Sequence, residues 1–279
     1  MHKQKTWFIT GASKGFGLAL TQLLLDRGDK VISTSRHVEQ LRSLVSGYGD
    51  TFLPLQVDIT SDKAVAEALA FARQHFGDID VVVNNAGYCL GGSVEEISDE
   101  EFRQTMDVNF FATINVIRHI MPYFRAQRRG HIINIASIAG YFGIPLASSY
   151  SASKYAVVGL TEALAKEVAP FGVQVTLVAP GEFRTNFMEQ GSIAFAAARE
   201  PEYELDQAEV EWAEQSGKQP GDPQKLVNIL AQLADMEQPP KRLILGADAH
   251  ALFLAQQQEE AEDLRQHEAW SLSTDFDNQ

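Results

Sequence analysis

Apolar positions along the chain fall into two alternating patterns. Seven short, nearly continuous apolar runs occupy residues 6–10, 30–35, 51–57, 79–84, 131–136, 173–178 and 241–245. Runs of that length predict strands buried on both faces, as in a parallel sheet. Between them lie longer stretches, at 16–27, 64–76, 102–127 and 150–171, whose apolar residues recur at helical spacing. Strands alternating with helices predict a doubly wound α/β domain: a seven-stranded parallel sheet with helices on both faces. No internal repeat and no linker rich in Gly, Ser or Pro divides it.

Two segments break the alternation. Residues 186–222 carry no strand signal, only an apolar patch at 193–198 followed by Glu200, Glu202, Glu204, Asp206, Glu209, Glu211 and Glu214. An insertion this long in a compact domain is expected to be a lid over a binding site, partly helical. The second segment, 251–279, reads as an acidic helix with a frayed end appended to a domain of residues 1–250.

Composition narrows the class. With 45% hydrophobic and 22% charged residues in 279, the chain is an ordinary globular one that needs no staple. The single cysteine, Cys89, excludes a disulfide framework, and the seven histidines are scattered without ligand spacing, so no metal is expected. Cys89 follows Gly87 by two and is read as an inert buried thiol close to the pocket. No apolar run reaches the ~18 residues of a membrane span, and residues 1–5 lead straight into a strand, which predicts a cytoplasmic protein. The net charge of −14 is uneven: residues 1–180 hold 17 acids and 16 bases, residues 181–279 hold 20 acids and 7 bases. Such a chain repels nucleic acid and anionic membranes.

Candidate chemistry sits at the ends of the strands. The first runs into Thr10-Gly11-Ala12-Ser13-Lys14-Gly15-Phe16-Gly17 and then a helix. Glycines there let the backbone approach a pyrophosphate held at a helix N-terminus, although the same turn would serve as a plain tight connection. The second strand ends in Ser35-Arg36-His37, with no acid to accept from a ribose 2′-hydroxyl. Arg36 suits a 2′-phosphate instead, with Lys14 as a second cation, so NADP(H) is expected over NAD(H) unless both are simply solvated charges. Asn84-Asn85-Ala86-Gly87 ends the fourth strand; its small residues admit a flat ligand and its amides can tie strands together. Tyr150 and Lys154 lie four apart on one helix face, with Ser137 ending the fifth strand. An ammonium beside a phenol is expected to lower the phenol's pKa from about 10 toward the range useful for proton transfer.

In order and spacing these motifs, with Pro180-Gly181, resemble the short-chain dehydrogenase/reductase family in its compact single-domain branch, closely over 5–182 and more weakly to about 250. The resemblance implies a Rossmann-type fold and Tyr150 as general acid/base. It implies that Ser137 orients a carbonyl and that Lys154 binds the nicotinamide ribose while tuning Tyr150. Asn109 would hold a water of a proton relay. It places Asp58 and Ile59 near the adenine and Gly11, Ser13, Lys14, Gly15, Phe16, Gly17, Arg36, Asn85, Ala86, Gly87, Pro180, Gly181 and Thr185 along the cofactor. It departs from the family at Glu182 and Arg184, an acid and a base beside the nicotinamide end. Gly221-Asp222-Pro223 and residues 245–249 faintly resemble the steroid- and retinol-dehydrogenase-like subgroup.

The implied protein is an NADP(H)-dependent oxidoreductase of a carbonyl or secondary alcohol, forming a homodimer or homotetramer. An NAD-dependent alcohol dehydrogenase and a non-catalytic NADP-binding sensor are its rivals. Tyr88, Leu90, Tyr141, Phe142, Phe187, Ile193 and Phe195 predict an apolar substrate pocket. Arg125, Arg128 and Arg129 complement a helix C-terminus; docking of an acidic carrier protein there is opposed by the acidic lid.

Overall fold

The computed structural model describes residues 3–189 and 191–276. Among the described residues nine strands form: β1 (Thr6–Ile9), β2 (Lys30–Ser35), β3 (Phe52–Gln56), β4 (Val81–Asn84), β5 (Cys89–Gly91), β6 (Gly130–Ile135), β7 (Val173–Pro180), β8 (Ile193–Phe195) and β9 (Arg242–Leu245). The helices are α1 (Gly15–Asp26), α2 (Val38–Leu44), α3 (Asp62–Phe76), α4 (Asp99–Met106), α5 (Ala112–Gln127), α6 (Ser148–Val168), α7 (Leu205–Glu214), α8 (Pro223–Leu233), α9 (Ala247–Gln266) and α10 (Glu268–Leu272). Seven strands pair in parallel in the order β3-β2-β1-β4-β6-β7-β9. The seven apolar runs supply those seven strands, and the fold is a single Rossmann-type domain.

Strand alternation divides the interior into two cores. Trp7, Ile9, Val31, Val81, Val83 and Ile133 face α1 and α8, where they meet Leu20, Leu24, Leu226 and Leu230. Phe8, Ile32, Val82, Ile132 and Val175 point the other way, onto Val65 and Leu69 of α3, Ile120 and Phe124 of α5 and Leu164 of α6. Both faces of the central strands are therefore buried, which is why their sequences read as unbroken apolar runs. A chain of amides crosses the sheet: Asn84 Nδ2 donates to Asn134 Oδ1 (2.8 Å), and Asn134 Nδ2 donates to Thr161 Oγ1 on α6 (2.9 Å). The chain progresses outward from β1 toward β3 on one side and from β4 toward β9 on the other. Their loops diverge between β1 and β4, leaving a crevice at the C-terminal edge.

Three features differ from the reading of the sequence. The stretch 102–127 is not one regular helix: α4 and α5 are joined by a π-helical turn, Asp107–Phe111. α4 begins at Asp99, behind a capping box of Ser98 and Glu101. Segment 186–222 contains α7, as expected of a partly helical insertion, but also β8, which pairs in parallel with β5 as a separate two-stranded sheet. Finally, the tail is helical from Ala247, and α9 and α10 lie almost wholly exposed. Among the described residues no helix is long and apolar enough to cross a membrane.

Candidate active site

Loops following the C-terminal ends of the strands assemble one constellation. After β1, Gly11 (φ +68°) and Gly15 (φ +54°) take left-handed conformations that favour glycine. Gly17 is needed for proximity: a Cβ there would stand 2.5 Å from the Gly11 carbonyl oxygen and 2.7 Å from Asn85 Nδ2. The turn is bound to the next motif, since Thr10 Oγ1 accepts from the Asn85 and Ala86 amides at 3.1 Å. Asn85 Nδ2 in turn donates to the Thr10 and Gly11 carbonyls. Ser13 and Phe16 lie half-buried in the same turn, and the Phe16 ring packs edge-on against Phe183, centroids 5.4 Å apart.

Two cations gather beside this turn. Burial pushes the Lys14 ammonium below its usual range, Arg36 pushes the same way, and Glu189 pulls back. Arg36 is exposed and has no carboxylate partner among the described residues. The loop after β3 runs alongside, because Val57 N donates to the Ser35 carbonyl. In it the exposed Asp58 carboxylate accepts from Thr60 N and Oγ1, and the Ile59 carbonyl accepts from Asn115 Nδ2 at 3.1 Å.

Deeper in the crevice, Tyr150 and Lys154 on α6 are both buried, 8% and 4% exposed, although they begin a helix at the edge of the sheet. Lys154 Nζ donates to the Ile135 carbonyl at 3.1 Å and sits 5.6 Å from the Tyr150 ring centroid. Burial lowers the Lys154 pKa to about 8. The expectation that this ammonium lowers the Tyr150 pKa is not met. Burial raises it, Cys89 adds to the rise, and a hydrogen bond from Ser137 takes back only part. Desolvation dominates because the phenol is buried. Ser137 Oγ also accepts from the Ala139 amide at 3.1 Å, which fixes the hydroxyl at the end of β6. The Cys89 thiol is buried and pushed up to about 12, so it stays protonated.

Asn109 reaches this group from the π-helical turn, a feature that recurs at functional sites. Its Oδ1 accepts from Tyr88 N, and its Nδ2 donates to Tyr88 O and to Ser153 Oγ. Ser153, which the sequence reading passed over, donates onward to the Tyr150 carbonyl at 2.7 Å. Its one legible signal was a place three residues after Tyr150 on the same helix.

At the far side, Pro180 ends β7 and Gly181 N donates to the Leu245 carbonyl. Thr185 Oγ1 accepts from Phe187 N, and its Cβ is 3.8 Å from where a Gly15 Cβ would stand, so Thr185 overhangs the glycine turn. Glu182 and Arg184, the acid and base that depart from the family pattern, flank this corner. The Glu182 side chain is exposed while its amide donates to Asp248 Oδ2 at 2.7 Å, and the Arg184 guanidinium donates to the Gln219 carbonyl. Asp248 is a second residue that sequence reasoning missed. Of the residues expected to line a substrate pocket, Phe187 and Ile193 pack in one cluster with Tyr150, and Leu90, Tyr88 and Phe195 in the next. Tyr141 faces elsewhere: its ring meets Phe253 of α9 edge-on, with Arg242 over it.

A family profile described as short chain dehydrogenase matches residues 5–193. The chain is 37% identical over 250 residues to a 3-ketodihydrosphingosine reductase of Bacteroides thetaiotaomicron, covering 88% of this chain and 89% of that one. Among solved structures, a short-chain dehydrogenase from Streptomyces avermitilis superposes with a TM-score of 0.90 at 35% identity, over 98% of this chain and all of the other. A short chain dehydrogenase from Burkholderia cenocepacia in complex with NADP gives 0.69 at 30% identity, over 98% and 99% of the two chains. With a seven-stranded Rossmann-type sheet and this match over most of its length, the chain belongs to the short-chain dehydrogenase/reductase family and is a nicotinamide-dependent oxidoreductase.

Proposed function

We propose that the protein is an NADP(H)-dependent oxidoreductase acting between a carbonyl and a secondary alcohol of a small hydrophobic compound, in a cytoplasmic homo-oligomer. The observation that carries this reading is the grouping of half-buried Ser137 at the end of β6 with buried Tyr150 and Lys154 of α6, beside an apolar cluster.

The residues present fit a dinucleotide. Gly11, Ser13, Lys14, Gly15, Phe16 and Gly17 frame a helix N-terminus, where anions are favoured. Asn85, Ala86 and Gly87 form a floor with no bulky side chain, and a Cβ on Gly87 would stand 3.1 Å from Asn109 Oδ1 and 3.4 Å from Lys154 Nζ. Asp58 and Ile59 would flank an adenine, and Pro180, Gly181 and Thr185 a carboxamide. Arg36 and Lys14 repel one another, and a 2′-phosphate relieves that repulsion through charge-assisted bonds. The nicotinamide, when bound, supplies or accepts the hydride.

The chain's own residues govern the proton. Burial disfavours the Tyr150 phenolate, so the phenol is protonated near neutrality and can give that proton to the more basic oxygen that becomes an alkoxide. Ser137 donates to the same oxygen and holds it against Tyr150. Lys154, still mostly charged near neutrality with a pKa of about 8, stabilises the phenolate left behind. Asn109, with both faces of its amide bonded, holds the α6 start and the loop at Tyr88 in register.

NADPH consumption should be followed across aldehydes, diketones, quinones, steroids, retinoids and long-chain ketones of the kind named for the Bacteroides relative. At least one ketone class is turned over, and Tyr150→Phe lowers kcat by about 10²–10⁴ without loss of NADPH binding. Full turnover by Tyr150→Phe overturns the reading.

A further inference from the structure

Segment 186–222 is fastened to the body of the protein at an unusual seat. Its strand β8 pairs with β5 through Cys89↔Ile193, Leu90↔Ala194 and Gly91↔Phe195. Cys89 N donates to Ser192 O (2.9 Å), and Ala196 N donates to Gly91 O (2.8 Å). Beyond β8 the segment folds into α7, which returns Trp212 to within 5.7 Å of the Phe195 ring. Both rings rest on Gly91. A Cβ there would stand 2.6 Å from Phe195 Cδ1 and 3.1 Å from Trp212 Cζ3. Gly91 lies outside the left-handed region, so it is the two rings, not the backbone, that exclude a side chain.

The seat borders the reacting groups. Trp212 packs in the same apolar cluster as Tyr150, Phe187 and Ile193, and Phe195 in the neighbouring one with Leu90 and Tyr88. Strand β5 continues back into Tyr88, whose backbone is bonded to Asn109.

We propose that Gly91 is the seat on which Phe195 and Trp212 hold the lid closed over Tyr150, and that Trp212 is the wall that selects the apolar substituent of the substrate. This rests on the reading of the site as a carbonyl and alcohol oxidoreductase. A methyl group at position 91 wedges the rings outward and opens the pocket, whereas the glycine turn after β1 lies on another loop, and residues 85–87, upstream of β5 and bonded to Thr10, stay in place. Shortening residue 195 makes room for that methyl and reseats the lid. Removing the indole deepens the pocket by the volume of a bicyclic ring, which favours ketones with bulkier apolar groups.

The test compares wild type, Gly91→Ala, the double variant Gly91→Ala/Phe195→Leu, and Trp212→Ala. All are followed by thermal melting, NADPH affinity and steady-state reduction of methyl ketones of increasing bulk. Gly91→Ala is expected to raise KM at least tenfold while the NADPH Kd stays within twofold, and the double variant to restore KM to within threefold. Trp212→Ala is expected to shift the kcat/KM ratio toward bulkier ketones by at least tenfold. Turnover by wild type with an unchanged KM in Gly91→Ala, no rescue in the double variant, or no shift in Trp212→Ala overturns the proposal. A parallel titration of undecan-2-one into Trp270→Phe protein loaded with NADP⁺ reads tryptophan fluorescence. A ketone-dependent change lost in Trp212→Phe supports the wall even if no ketone is turned over, an outcome that refutes the redox reading alone. No change refutes the wall.

Discussion

Asn109 and Tyr88 are bonded twice: the Asn109 carboxamide accepts from the Tyr88 amide and donates to the Tyr88 carbonyl, each at 2.9 Å. A side chain here does what a neighbouring strand does elsewhere, closing the backbone of a loop that enters β5. The π-helical turn is what brings it there, because a regular helix through Asp107–Phe111 would rotate residue 109 by a fraction of a turn.

Asn109→Ala therefore strands a buried N–H and C=O at Tyr88, each at about 1–3 kcal/mol. Thermal melting should fall by several degrees, and kcat should drop in parallel because Ser153 and the start of α6 lose their partner. Circular dichroism melts and single-turnover kinetics check this; a variant with wild-type melting and wild-type kcat contradicts it.

The pair Arg36 and Lys14 makes a cofactor prediction. A charge-assisted hydrogen bond contributes about 1.5–3 kcal/mol, roughly 10–150-fold in affinity. Arg36→Asp should weaken NADPH binding by that factor and leave NADH binding unchanged or improved, measured by cofactor fluorescence. Equal losses for the two cofactors would show that Arg36 does not read the 2′-phosphate.

Lys154 gives a prediction in pH. Its pKa is about 8 in the folded chain against 10.5 for an ordinary lysine. Between those values the unfolded chain holds a proton that the folded one lacks, so folded stability from this group rises as pH rises from about 8 to 10.5. Below pH 8 the full burden of a buried charge remains, about 3 kcal/mol against ~1 kcal/mol for the lost bond to Ile135. Lys154→Met should thus be inactive yet more stable than wild type at pH 7, the difference shrinking toward pH 10. Urea unfolding at pH 7, 8, 9 and 10 follows it; a constant difference would refute the assignment.

At the other end of the strands, His131 titrates with the same sign but in an acid window. Thr176 Oγ1 donates its proton to the Pro240 carbonyl, so His131 Nε2, 2.9 Å away, is the donor in that contact. Nδ1 is left without a partner, and burial lowers the pKa to about 4. The unfolded chain takes up a proton near pH 6.5 that the folded chain refuses until about pH 4, so stability falls across that window. His131→Val should flatten this acid limb by about 3 kcal/mol. Unfolding midpoints at pH 7, 5.5 and 4.5 measure it, and an unchanged limb would count against the buried neutral ring.

The seven sheet strands were legible because burial on both faces leaves an apolar run with little else in it, as in Val81-Val82-Val83. β5 and β8 were not, since three residues have no measurable period and their partners lie about a hundred positions apart. Tyr150, Lys154 and Ser137 could be singled out by residue type and spacing. How far each is buried could not, and for Tyr150 burial reverses the expected direction of its pKa. Asp248 stood in the 245–249 segment, but its bond to the Glu182 amide spans 66 positions and left no mark in the spacing.

The sheet's interior strands answer to two cores at once: Phe8 and Val82 pack toward α3 and α5, while Val81 and Val83 on the other face pack toward α1 and α8. The insertion between β7 and α8 is tied to the rest chiefly through the β5–β8 pairing. Grafting 192–222 from a relative, which leaves Glu189 beside Lys14, should therefore transplant appetite for a substrate while the recipient keeps its own cofactor and its own melting point. The architecture works as a chassis with interchangeable tooling, and the β5–β8 pairing is the coupling into which the tooling locks.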